Sequence, residues 1–174
     1  MSSRKKAREC LLKALYLAES RIIPAEAAFA EMAATDREIE RLSGEPEAEE
    51  LGPFALGLVG EHSEYALALA RRIEDSRERY NGFIRPALVN WELERVARID
   101  RIIMWIALAE MECMLDVPPA VSVDEAVELA RKFSSAKSPG FVNGVLDTVA
   151  RSMGLLTGEK KPRGKKTCPT GKHR

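Results

Sequence analysis

Between Ile102 and Ala109 the chain runs Ile-Ile-Met-Trp-Ile-Ala-Leu-Ala, with no charged side chain on any face. A helix that is apolar all round must be enclosed by other elements, so this segment demands a fold built around it. It is far too short to cross a bilayer, which takes about 20 apolar residues. It therefore reads as the buried axis of a helical bundle. The element carrying it is expected to run from Trp91 to about Leu115, where Asp116-Val117-Pro118-Pro119 stops it.

The flanking sequence supplies the enclosing helices. Ser2 or Ser3 is a good N-cap for a first helix reaching about Ser20, with an apolar stripe of Leu11, Leu15, Ala18 and Ile22. Pro24 opens a second, Ala-rich helix to about Leu42, which Ser43-Gly44-Glu45-Pro46 breaks, and a Glu-rich loop extends to Gly52. Pro53 restarts a helix containing Phe54, Leu58, Tyr65, Leu69 and Ile73, and a shorter helix is expected from Tyr80 to Val89, interrupted near Pro86. Ser122-Val123-Asp124-Glu125 reads as a capping box opening a helix to about Phe133. Ser138-Pro139 reads as an N-cap with proline at the first helical position. The last helix sets Phe141, Val142, Val145, Leu146, Val149 and Met153 on one arc. No strand period and no internal repeat occur. The expected fold is all-α, a compact bundle of about six or seven helices. Residues 1–156 form one domain, or two small helical subdomains sharing a core, and 157–174 form a basic, disordered tail.

The formal net charge of zero hides a separation of sign along the chain. Arg4, Lys5, Lys6 and Arg8 make the first turns basic. Seven acids between Asp36 and Glu50 face only Arg37 and Arg41. Lys160, Lys161, Arg163, Lys165, Lys166, Lys172 and Arg174 make the end basic again. A basic end is a phosphate-binding footprint, or else a solvated helix face plus a tail. The charged start has no apolar signal core, and Cys10, Cys113 and Cys168 are an odd set without close spacing. A cytoplasmic location follows as the expectation, with no membrane partner.

Catalytic chemistry is hard to place. His62 and His173 are the only histidines, and neither sits in a ligand cluster or a triad-like setting. The cysteines lack zinc-binding spacing. Gly154 to Lys160 (GLLTGEK) lacks both the ending and the preceding strand of a phosphate loop. No cofactor, no metal and no enzymatic activity are expected.

Two stretches carry more than pattern: Ala7-Arg8-Glu9-Cys10 with Ala14-Leu15-Tyr16, and Ser122 to Phe133 (SVDEAVELARKF) followed by Phe141-Val142-Asn143-Gly144-Val145-Leu146-Asp147. Between them lie Trp91-Glu92-Leu93-Glu94-Arg95 and Ile99-Asp100-Arg101. Together they resemble the NusB family of bacterial transcription antitermination factors, whereas residues 23–85 add little to the likeness. The resemblance implies partnership with the small-subunit ribosomal protein NusE and binding of the pair to single-stranded boxA RNA of ribosomal RNA leaders. It also implies membership of an antitermination complex on RNA polymerase. A related helical domain is fused to an RNA methyltransferase, but this chain has neither the length nor the glycine-rich strand–helix pattern for such a catalytic part. The alternative from another class is a helical protein-interaction or oligomerisation module without RNA binding; a homodimer is compatible with either.

The residues give this resemblance a physical form. Arg4, Lys5, Lys6 and Arg8 are placed to contact phosphates. Tyr16 projects on the same side as Lys5 and offers a ring on which a base can stack. Phe141 and Asn143 lie in the first turn of the last helix, where free N–H groups favour an anion, and an amide such as Asn143 can read an unpaired base edge. Other readings stay open: Tyr16 and Phe141 as rim residues of the core, Asn143 as a helix–helix hydrogen bond, Gly144 as a point of close packing. Glu94 and Asp100 match family positions associated with the protein partner, although Glu94 is also placed to pair with Arg98. Two residues depart from the family pattern. Trp105 stands where arginine is common, and Gly140 stands where a basic residue commonly precedes Phe141, with Lys137 three residues earlier.

Overall fold

In a computed structural model of the chain, the apolar segment lies on a helix walled in by four others. The structure describes the backbone of residues 3–43 and 61–156, and the side chains of residues 4–35 and 63–156. Among these residues every regular element is helical: α1 (Ser3–Arg21), α2 (Ala25–Ser43), α3 (Glu61–Ile84), α4 (Arg98–Cys113), α5 (Pro119–Phe133) and α6 (Ser138–Ser152). Two 3-10 turns, Arg85–Ala87 and Leu93–Arg95, join α3 to α4.

Every residue from Ile102 to Ala109 is buried, as an uncharged helix requires. α4 packs on α1 and α3 on one side and on α5 and α6 on the other. α1, α2 and α3 pack together as one group, and α4, α5 and α6 as a second. A single apolar cluster runs through both, from Leu11, Leu15 and Leu69 across Ile102 and Ile106 to Leu129 and Leu146.

Several boundaries differ from expectation, each for an identifiable reason. Tyr80 is not on a separate short helix. It is fully buried on α3, which continues unbroken to Ile84 until Pro86 forces a 3-10 turn. The chain around Trp91 is not helical either. Asn90 adopts φ +59°, and Leu93 and Val96 are pinned into the core before α4 begins. The Ser122–Glu125 capping box does not form. α5 begins at Pro119, capped by Pro118 without a side-chain bond, because proline at the start has no N–H to satisfy. Ser122 is consequently buried inside the first turn. Ile22, expected on the apolar stripe of α1, is instead 94% exposed at φ +58°, reversing the chain just past the helix end. The restart at Pro53, the acidic loop and the 157–174 tail lie outside the described residues.

Candidate nucleic-acid interface

The basic run of α1 is divided by the helical period. At 3.6 residues per turn, Arg4 and Arg8 share one side, while Lys5, Lys13 and Tyr16 share another with Lys6 beside them. Arg8 faces inward and is 5% exposed. Its Nε donates to Glu110 Oε1 at 2.8 Å, and it forms a second ion pair with Glu125 at 3.1 Å. Tyr65 donates its hydroxyl to the same Glu110 oxygen. The expectation that Arg8 contacts phosphate is therefore corrected: its charge is spent clamping α1 to α4 and α5. Arg4 bonds Asp116 at 2.6 Å and holds that carboxyl below its ordinary value.

The outward side is different. Lys6 is exposed and Lys5 and Lys13 partly so, and none of the three makes an ion pair among the described residues. Tyr16 is 45% exposed, so the rim-of-core reading does not describe its outer ring. The Arg98 guanidinium lies 5.7 Å from the Tyr16 ring centroid, and Arg98 donates to Ser20 Oγ at 3.0 Å. Glu9 is buried under the ammonium of Lys132, 2.7 Å away, which brings the end of α5 against this face.

At the start of α6, Asn143 is exposed and its side chain makes no hydrogen bond among the described residues, so the helix–helix bond is not made. Phe141 is partly buried, with one face packed on the core. Gly144 is exposed and a Cβ there would meet nothing within 4 Å, so close packing does not explain it. Ser138 is not a cap. Its hydroxyl donates to Asp100 Oδ2 at 2.8 Å while Lys137 occupies the cap position. The carboxylate of Asp100 thus already stands at this helix N-terminus, where it opposes a second anion. Asp100, matched by the resemblance to a partner-side position, is 5% exposed and bonded to Ser138. Glu94 is exposed and pairs with Arg85 at 3.3 Å, not with Arg98. Its own backbone N–H and then Arg85 keep its carboxyl below the ordinary value.

α1 and α6 are not among the principal packed pairs. Three side-chain links connect their outer faces instead: Glu9–Lys132 from α1 to α5, Arg98–Ser20 from α4 to α1, and Asp100–Ser138 from α4 to α6. Through these links the α4 N-terminus connects the end of α1 to the start of α6, the helix that carries Phe141 and Asn143. Lys13, Arg98 and Lys132 escaped the sequence reading. Lys13 was available from its spacing to Lys5, but the other two reach the site only through tertiary packing.

Trp105, the departure from the family pattern, is 1% exposed. Its indole donates to Asn81 Oδ1 at 3.0 Å, and Arg77 and Arg101 lie 5.0 and 5.3 Å from its ring centroid. An indole here turns two nearby cations into favourable contacts, where a third guanidinium would be repelled.

The NusB family model matches residues 5–151, and the chain belongs to the NusB family. A relative named transcription antitermination protein NusB, from Syntrophotalea carbinolica, is 39% identical over 89 residues, covering 51% of this chain and 57% of the relative. The T. maritima NusB structure superposes with TM-score 0.68 at 26% identity, covering 85% of this chain and 90% of that one. A structure of antitermination factors NusB and NusE in complex with dsRNA shares the fold with TM-score 0.63 at 22% identity, covering 87% and 98%. Among the described residues, no helix is long and apolar enough to cross a membrane, and no group of three or more His, Cys, Asp or Glu side chains is placed to hold a metal ion.

Proposed function

We propose that this protein is a transcription antitermination factor that binds single-stranded boxA-type RNA together with NusE and joins an antitermination complex on RNA polymerase. The observation that carries the reading is the outer face of α1. Lys5, Lys6 and Lys13 make no ion pair there among the described residues, and the half-exposed ring of Tyr16 lies one turn beyond Lys13. Cations track the phosphates, and an exposed ring needs an unpaired base to stack on, which selects single strands over duplex. Asn143 supplies an uncommitted amide at the far end of the same surface for a base edge. Membership of a family whose relatives carry the antitermination name supports the reading. A structural neighbour in which NusB and NusE are in complex with dsRNA supports the partner classes, NusE and RNA, though not the choice of single strands. The work proposed is binding, not catalysis. Glu94 is the accessible candidate for the protein partner, and the buried Asp100 supports the start of α6 through Ser138.

The test is a titration of labelled boxA-type RNA with the protein alone and with NusE. NusE should tighten RNA binding, and RNA should tighten the protein pair by the same factor, since coupling is reciprocal. Lys5→Ala and Lys6→Ala should weaken all RNAs. Tyr16→Ala should cost roughly 5- to 150-fold, the value of one stacked base, and Tyr16→Phe far less. Phe141→Ala and Asn143→Ala should erode sequence preference. Absence of RNA binding with and without NusE refutes the proposal.

A further inference from the structure

Arg98, the first residue of α4, stands where the outer face of α1 meets a cleft. The cleft, about 860 Å³, lies between the end of α1, the middle of α3 and the start of α4. Two contacts orient the Arg98 guanidinium: the Tyr16 ring, 5.7 Å from its carbon, and the Ser20 hydroxyl at 3.0 Å. Its nearest carboxylate oxygen, on Glu19, is 3.8 Å from Nε, outside hydrogen-bond reach. Glu19 is moreover shared with Arg77 at 3.3 Å and Arg101 at 3.5 Å. Three guanidinium groups thus meet one carboxylate, and neither Arg101 Nε nor Glu19 Oε2 has a hydrogen-bond partner among the described residues. The Arg98 side chain is 47% exposed, open to a ligand from solvent.

We infer that Arg98 is a phosphate-holding residue of the RNA surface, gripping the backbone phosphate next to the base stacked on Tyr16. This rests on the RNA reading above and adds to it a residue that no sequence motif marks. A planar guanidinium with spare donors suits a phosphate better than a point charge does. Its contact with the ring sets stack and phosphate at the separation one nucleotide bridges. Arg101, behind it, adds positive potential. Glu74, Asp75 and Glu78 line the α3 side of the cleft and repel phosphate. They confine the backbone to the lip formed by α1 and α4.

The experiment uses the full chain and a single-stranded boxA-type oligonucleotide titrated at several salt concentrations. Arg98→Ala should weaken binding of every sequence by about tenfold and flatten the salt dependence by about 0.7 in log–log slope, one single-strand phosphate contact. Arg98→Lys should keep the slope and recover part of the affinity. A methylphosphonate walk along the RNA should find one linkage whose neutralisation weakens binding to the wild-type chain and costs nothing further in Arg98→Ala. That arm is independent of variant folding. Unchanged affinity and slope in Arg98→Ala, while Lys5→Ala and Lys6→Ala weaken binding, overturns the assignment of Arg98 and leaves the RNA reading standing. A wild-type chain that binds no RNA overturns both.

Discussion

Arg8→Ala separates a basic residue that binds a ligand from one that holds the fold. Both partners of the ion pair are withdrawn from water, Arg8 with 6% and Glu110 with 1% of the side chain exposed. Removing one member of such a pair leaves a buried, uncompensated charge, a loss of about 3–5 kcal/mol. The second pair, to the partly exposed Glu125, adds at most about 1 kcal/mol. The Tyr65 hydroxyl stays on Glu110 and offsets a fraction. A stability near 5–15 kcal/mol survives this in most of its range, and the thermal midpoint should drop by roughly 6–20 °C. In urea the transition midpoint should fall with its slope unchanged, the mark of altered stability in an unaltered fold. RNA titrated against the folded variant should bind as it does to wild type. The double variant Arg8→Met with Glu110→Gln should recover much of the loss, because neither charge is then left alone. A loss under about 1 kcal/mol combined with a tenfold drop in RNA affinity would refute the reasoning and return Arg8 to the RNA surface.

Two further perturbations read other parts of the molecule. Burial pushes the Glu112 carboxyl up, but hydrogen bonds from Arg79, Tyr80 and Arg72 outweigh it and hold the group below its ordinary value. A depressed folded-state pKa gives stability that is present above the unfolded value and lost as pH falls through the folded one. The stability gap between wild type and Glu112→Gln in urea should therefore narrow with acidification below about pH 4.5; a gap independent of pH would contradict this. Gly144→Ala should raise stability by about 1 kcal/mol, the cost of glycine within a helix, since the added Cβ meets nothing. A gain that fails to appear would contradict the open space around Gly144.

The fold was legible because its strongest signal is local. An uncharged run at Ile102–Ala109 cannot tolerate solvent, and the flanking 3.6-residue periods supply the helices that cover it. Where the reading slipped, two local signals competed. Ser122 and Glu125 have capping-box spacing, yet Pro118-Pro119 offers an earlier start that needs no cap, and it prevails. Ser138 has a capping residue's chemistry, yet Asp100, 38 positions away, takes its hydroxyl. Ile22 continued the apolar stripe by count, but the helix ends at Arg21 and the next residue turns outward.

The site was legible only where the helical period alone decides exposure. Lys5 and Tyr16 lie on one face by spacing, and both reach solvent, although Glu9 and Leu12 between them on that face are buried. Arg8 sits three residues after Lys5 in the same basic run, and nothing in the linear charge distinguishes it. What distinguishes it is Glu110, 102 positions away, the carboxylate that follows the uncharged run of α4. An acid at the end of so buried a helix needs a cation, and the neighbouring helix must supply one. The same logic read in reverse identifies Arg98. Three guanidinium groups face the single carboxylate of Glu19, and Arg98 Nε stands 3.8 Å from it, outside hydrogen-bond reach, which leaves its donors for the proposed phosphate. Whether a cation on this surface is structural or functional is thus set by the count of carboxylates folded against it, a quantity that exists only once the helices are assembled.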